Sequence, residues 1–225
     1  MSFPLLTFSE QLILTLAALI LFSSFLLLAQ TRMIGLIHTF AWQGVLLFAA
    51  TVLMASSSGH HHLFISAALT LGLKVFFIPW QLRRLVVRLD IRRSVETVGG
   101  SSLVMIAAGA LTLFSYYVVL PIRELSLLAT RNTIAISLAV VLIGMLMIIT
   151  RRKAVAQVIG FMSMENGLFF AAVVSTYGMP MVVELGVAFD VLVAAVLFGI
   201  FFFQIRSGIG SLDVDHLNRL TEVDK

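Results

Sequence analysis

Seven long apolar runs follow one another along the chain, and each is about as long as a helix that crosses a lipid bilayer. They cover residues 5–29, 33–56, 62–82, 100–120, 131–150, 154–176 and 180–204. A spanning helix needs about 20 apolar residues. With 60% hydrophobic and 12% charged residues, the 225-residue chain is too apolar for a water-soluble domain. Because the runs lack the alternation of a membrane β-barrel, we predict an all-α integral membrane protein with seven transmembrane helices.

The basic residues predict how these spans are oriented. Twelve Arg and Lys residues lie in the loops after spans one, three and five and in the C-terminal tail, whereas only Arg123 and Arg131 lie on the opposite side. Positive charge concentrates on the cytoplasmic side of membrane proteins. We therefore expect the N-terminus outside and the C-terminus in the cytoplasm, which requires an odd number of spans.

The spacing of the spans predicts four segments. Residues 1–99 form a three-span bundle with a basic cytoplasmic loop, and residues 100–130 contain a linking span. Residues 131–206 form a second three-span unit, and residues 207–225 form a cytoplasmic tail.

Three ionisable side chains lie deep inside predicted spans. Glu165 is near the middle of the sixth span, Asp190 is well inside the seventh, and Lys74 is in the third. Counted from the connecting loops at about 1.5 Å per residue, they lie at similar depths. A charge at the bilayer centre costs roughly 3 kcal/mol on insertion scales, so it usually has a function or a partner. Beside Lys74, Pro79 leaves the carbonyl of Val75 without its helical donor.

These three groups favour a proton or ion relay. Burial disfavours the charged form of an ionisable group, so such groups can exchange protons near neutral pH, and the charge on one affects the next. A structural ion pair between Lys74 and either Glu165 or Asp190, which fixes helix packing, is the alternative that these residues leave open.

Three other polar residues are candidates for a path to this cluster. His38 and Gln43 lie in the second span, and Glu184 lies near the outer end of the seventh. Interhelical hydrogen bonds or simple hydration explain them equally well. The chain has no cysteine, which excludes Cys-ligated iron–sulfur clusters and thiol nucleophiles. Since no nucleotide-binding loop or metal-ligand spacing stands out, we predict no bound cofactor, no metal and no nucleic-acid partner.

Three stretches of the chain resemble the hydrogenase-4 component E family, whose members are membrane proteins of hydrogenase-4-type complexes. They are residues 151–167, 183–190 and 211–220, and Gln43 and Lys74 before Pro79 also look like its pattern. The resemblance implies a non-catalytic subunit of a complex-I-related oxidoreductase, such as a group 4 nickel–iron hydrogenase or formate hydrogenlyase. It further implies a bacterial or archaeal cytoplasmic (inner) membrane. The implied partners are other membrane subunits and a cytoplasmic redox arm that holds the electron carriers.

Residues 131–220 also resemble, more distantly, the small three-helix K-type subunit of respiratory complex I. That subunit carries an acidic residue in each of its second and third helices, and both are implicated in proton translocation. Asp190 falls on the second acid, whereas the first falls on Met162, about one helical turn from Glu165. The resemblance therefore implies that Glu165 and Asp190 carry protons in a membrane arm.

The first and last groups of three spans resemble each other. Residues 43–50 are similar to residues 165–172, and in the span that follows each stretch a charged residue, Lys74 or Asp190, precedes a Gln-x-Arg sequence. An offset of four spans predicts a parallel repeat, although chance similarity between apolar runs explains the match as well.

Two other functions stay open. The same acids suit a cation-coupled secondary transporter or antiporter-type subunit, and a purely structural membrane anchor would need them only for packing.

Overall fold

The computed structural model describes residues 8–58, 62–88, 100–121 and 128–175, together with residues 186, 188–193, 195, 196 and 199. Regular structure in these ranges is helical: α1 (Phe8–Ala29), α2 (Met33–Ser58), α3 (His62–Thr70), a π-helical segment (Leu71–Phe77), α4 (Ile78–Arg88), α5 (Ser101–Val119), α6 (Leu128–Thr150) and α7 (Ala154–Ser175). We call residues 186–199, as far as they are described, the C-terminal helical pieces.

Six helices in the described residues are long and apolar enough to cross a membrane. They occupy the places of the first six predicted spans, with α3, the π segment and α4 together forming the third. The seventh predicted span, 180–204, lies mostly outside the described residues. The count of seven spans and the orientation of the termini therefore remain predictions.

The third span is longer than predicted, because α4 continues to Arg88 and not only to residue 82. Leu82, Leu85 and Val86 are buried, whereas Arg83 and Arg84 are exposed. One apolar face thus packs on the bundle while the opposite, charged face is exposed, which favours continuation of the helix.

The third span changes its hydrogen-bond pattern near its centre, in the segment that carries Lys74. The backbone N–H of Ile78 donates to the carbonyl of Leu73, five residues earlier. Pro79 has no N–H, so the backbone here cannot complete a regular α-helical ladder. The π segment precedes Pro79 and lets the helix resume in α4. Short π segments within helices are often found at functional sites.

The loop between α6 and α7 is joined to the end of α1 by one buried side chain. Arg151 is 2% exposed. Its Nη2 donates to the carbonyls of Leu28, Gln30 at 3.1 Å and Leu27 at 3.4 Å. A guanidinium complements the unpaired carbonyls and the negative dipole end of a helix C-terminus. The first and fifth spans therefore end at the same face of the bundle, as an alternating topology requires.

Candidate functional site

The polar centre of the bundle lies between two apolar clusters. On α2, Phe40 belongs to one cluster and Leu47 to the other, and Gln43 lies between them. On α7, Met162 belongs to the first cluster and Phe170 to the second. The buried polar residues of that helix lie between these two positions, namely Ser163, Glu165 and Asn166. A polar layer enclosed on both sides by packed apolar side chains is shielded from water at either end.

Lys74 is the centre of this layer and is itself fully buried, at 0% exposure. Its Nζ forms an ion pair and hydrogen bond with Glu165 Oε2 and lies 3.4 Å from Asp190 Oδ1. Nζ also donates to Asn166 Oδ1 at 2.7 Å, and the Phe169 ring centroid lies 5.4 Å away. The π segment, α7 and the C-terminal helical pieces thus bring together all three residues predicted for the site.

The charges in this cluster do not balance when every group is ionised. Glu165 is 8% exposed and Asp190 is 3% exposed, and both face the single ammonium of Lys74. Unpaired charge is expensive in a low-dielectric interior. One proton shared between the two carboxyls removes the excess negative charge. Glu165 Oε1 and Asp190 Oδ1 are both buried and have no hydrogen-bond partner among the described residues, so each carboxyl has an oxygen on which that proton can reside.

A chain of neutral side chains leads from Lys74 to α1. Asn166 Nδ2 donates to Gln43 Oε1 at 3.1 Å, and Gln43 Nε2 donates to Ser24 Oγ at 2.9 Å. All three side chains are buried. Gln43 was a candidate from the sequence, whereas Asn166 and Ser24 were not. Asn166 had one available signal, since it is an amide directly after Glu165 in the middle of a span.

An apolar cavity of about 220 Å³ adjoins Glu165, between α7 and the C-terminal helical pieces. It is lined by Phe161, Met164, Glu165, Leu168, Phe169, Gly186 and Phe189. Leu168 and Phe189 are exposed, so the cavity opens toward the outer surface of the described bundle. A Cβ atom on Gly186 would lie 2.8 Å from Phe169 Cδ2 and 3.5 Å from Glu165 Oε1. Glycine therefore permits the close approach of these elements.

The remaining candidates lie elsewhere. His38 is exposed on α2 and is not part of the buried cluster. Glu184 lies outside the described residues. Within the ranges that the structure describes, no three His, Asp or Glu side chains gather as a metal site requires.

Comparison with known proteins gives two groups of relatives. The uncharacterized protein Rv0085 of Mycobacterium tuberculosis (strain ATCC 25618 / H37Rv) is 31% identical over 202 residues, which are 89% of this chain and 91% of that protein. Hydrogenase-4 component E of Escherichia coli (strain K12) is 27% identical over 121 residues, 54% of this chain and 56% of that protein, and the Shigella flexneri component E gives the same values. The chain thus spans about half the length of the hydrogenase-4 components that it matches. No family profile matches the chain, and no solved structure matches it.

Proposed function

This chain belongs to the same family as the mycobacterial protein Rv0085, and we propose that it is a proton-translocating subunit of a hydrogenase-4-like membrane complex. Its similarity to hydrogenase-4 component E supports membership of a multisubunit, complex-I-related assembly. Its partners are other membrane subunits and a cytoplasmic redox arm. Its place is a bacterial or archaeal cytoplasmic (inner) membrane, with the N-terminus outside and the C-terminus in the cytoplasm.

The observation that carries this proposal is the single buried lysine that faces two carboxylates. Glu165 and Asp190 share Lys74 as their counterion. When one carboxyl takes up a proton, the lysine interacts more strongly with the other, so the charge on one carboxyl affects the proton affinity of the other. Protons then pass between them in the membrane arm. The distant resemblance to the K-type subunit supports this role for Asp190, whereas the first acid of that subunit falls on Met162 and not on Glu165.

The energy for this transfer comes from partner subunits. Moving one charge across a potential of 100 mV takes about 2.3 kcal/mol. The chain has no cysteine with which to ligate an iron–sulfur cluster. We therefore assign electron transfer to the partners and proton conduction to this subunit.

Glu165→Gln in the native complex tests the proposal. Glutamine keeps the size of the side chain and one oxygen that can accept from Lys74, but it cannot release a proton near neutral pH. Coupled proton uptake by membrane vesicles should fall by roughly a hundredfold, the scale on which proton-transfer groups contribute. Co-purification of the partner subunits should be unchanged, which separates lost transfer from lost assembly.

Glu10→Gln is the matched control. Glu10 lies in the first turn of α1, fourteen residues before Ser24 and thus roughly 21 Å from the polar layer along the helix. This variant should pump normally. Normal pumping by Glu165→Gln as well would disprove the assignment. A structural anchor would then be favoured if neutral replacement of Lys74, Glu165 and Asp190 together changed stability but not pumping. Ion-dependent solute uptake by the purified chain alone would favour a secondary transporter.

A further inference from the structure

In the hydrogen-bond chain between α1 and Lys74, every donor and acceptor is fixed by the residue at the α1 end, Ser24. The Ser24 hydroxyl donates its only hydrogen to the carbonyl of Ile20 at 3.1 Å. Its oxygen is then left to accept, and it accepts from Gln43 Nε2. The Gln43 carbonyl oxygen therefore faces the other way and accepts from Asn166 Nδ2. This leaves Asn166 Oδ1 aimed at Lys74 Nζ.

Such a chain does not conduct protons. Each carboxamide holds both of its hydrogens in N–H bonds and does not release one near neutral pH. Every donor points away from Lys74, and the last acceptor, Ile20 O, is a backbone carbonyl. Gln43 is therefore not an extension of a proton path, although it lies in the polar layer.

The surroundings of Lys74 match its charged form. An ammonium has three N–H donors and no acceptor. The three atoms that face Nζ are Glu165 Oε2, Asn166 Oδ1 and Asp190 Oδ1, and each is an acceptor. A neutral amine would need a donor from one of these groups. The Asn166 amide cannot supply it while its NH₂ donates to Gln43, so the donor would have to be a protonated carboxyl.

The charged groups around Lys74 are few. Among the described residues, α7 contributes Glu165 and the C-terminal helical pieces contribute Asp190. The third neighbour, α2, approaches with Gly44, where an added Cβ would lie 3.3 Å from Lys74 Cβ. This face of α2 carries no charged side chain, so Asn166 is the one neutral acceptor on Nζ.

We infer that Ser24, Gln43 and Asn166 are positioning residues that hold Lys74 as a permanent ammonium. This assignment rests on the proposed function. In the proposed relay, protons exchange on Glu165 and Asp190 and not on Lys74. Lys74 then modulates the relay and does not continue it.

The charge of Lys74 can be measured directly by ¹⁵N NMR of the full chain in lipid nanodiscs. The chain has three lysines, Lys74, Lys153 and Lys225, so lysine-selective labelling gives three Nζ signals, and Lys74→Met identifies the buried one. We expect an ammonium signal for Lys74 in the wild type from neutral to mildly alkaline pH. Asn166→Leu should raise the ratio of neutral amine to ammonium roughly two- to tenfold, the effect of one lost hydrogen bond.

Ser24→Ala provides the sharper test, because Ser24 does not contact Lys74. The change frees both carboxamides to rotate, and it should move the Lys74 signal in the same direction as Asn166→Leu. Ser24→Thr keeps the hydroxyl and should restore the wild-type spectrum. Ser137→Ala is the matched control, since Ser137 is a buried serine that donates to the carbonyl of Thr133, four residues earlier in α6.

Two outcomes would overturn the inference. One is a neutral amine signal for Lys74 in the wild type. The other is an amine signal of Lys74 that, as the pH is raised, appears at the same pH in Ser24→Ala, Asn166→Leu and Ser137→Ala. The spectrum needs neither the partner subunits nor proton movement. The ammonium inference can therefore fail while the Glu165→Gln pumping test succeeds, and the reverse is also possible.

Discussion

At the scale of single residues, charge was the feature that the sequence revealed well. A buried Lys74, Glu165 or Asp190 is visible in an apolar run because the membrane penalises it. Asn166 and Ser24 were not predicted, because neutral polar side chains occur in many spans and need only one local hydrogen bond. The hydrogen bonds of Asn166 and Ser24 are made with residues of other helices that lie far away in the sequence, so their partners cannot be predicted from the neighbouring residues.

Lys74→Met should destabilise the bundle by about 3–5 kcal/mol, because it leaves two buried carboxyls without their counterion. Unfolding of the purified chain in detergent by denaturant measures this loss. The triple variant Lys74→Met, Glu165→Gln, Asp190→Asn should recover most of the stability, since neutral groups of similar size replace all three charges. Lys153→Met makes the same change outside the spans and should have little effect. If Lys74→Met unfolded like the wild type, the lysine would not be the counterion.

At the scale of helices, the apolar runs predicted where six spans lie but not how the third is built. Pro79 indicated a local defect in the backbone ladder beside Lys74. It did not indicate a seven-residue π segment, Leu71–Phe77. Whether a helix widens, kinks or ends near proline depends on its neighbours, here including α2, which packs closely through Gly44. Competition between backbone hydrogen-bond patterns is decided by tertiary packing.

The contact between α6 and α7 depends on glycine. A Cβ on Gly144 would lie 2.7 Å from the backbone nitrogen of Met164, and one on Gly167 would lie 3.0 Å from the carbonyl oxygen of Ser137. Neither backbone atom can move without shifting its helix. Small residues of this kind let spanning helices approach closely, and van der Waals packing then holds them together.

Gly144→Ala should therefore destabilise the bundle by about 1–3 kcal/mol, the usual cost of overpacking. Gly109→Ala, in α5, is the control because no described atom beyond its own helical turn lies within 4 Å of its added Cβ. That variant should be neutral or slightly stabilised through its higher helix propensity. Thermal unfolding in detergent compares the two. Equal stability of the two variants would show that the α6–α7 contact tolerates a methyl group.

At the scale of the whole molecule, the repeat inferred from the sequence stays a prediction, since chance similarity between apolar runs explains the match as well. Under that repeat the first span corresponds to the fifth and the second to the sixth. In the structure α1 packs against α6, and α2 packs against α7. A parallel repeat relates the two three-span units by rotation about an axis along the membrane normal, so superposition of the two units is what tests it. If the repeat holds, Gln43 corresponds to Glu165 and Lys74 to Asp190, and all four side chains lie in the polar layer.

The overall topology was predictable to the extent that it depends on composition. Hydropathy fixes where helices cross, and the Arg151 contact with α1 places the ends of the first and fifth spans at one face. Orientation in the membrane depends on basic residues in the loops and tail. The seventh span, 180–204, and the segments 1–99, 100–130, 131–206 and 207–225 stay predictions.

Infrared difference spectroscopy of the intact complex during turnover tests the central claim most directly, because protonated carboxyls have their own C=O stretching band. If Glu165 and Asp190 exchange protons, a carboxylic band should change during turnover in the wild type and in Glu10→Gln. That band should be lost in Glu165→Gln and be lost or shifted in Asp190→Asn. A carboxylic band that remains unchanged in both variants would show that this cluster does not carry the protons.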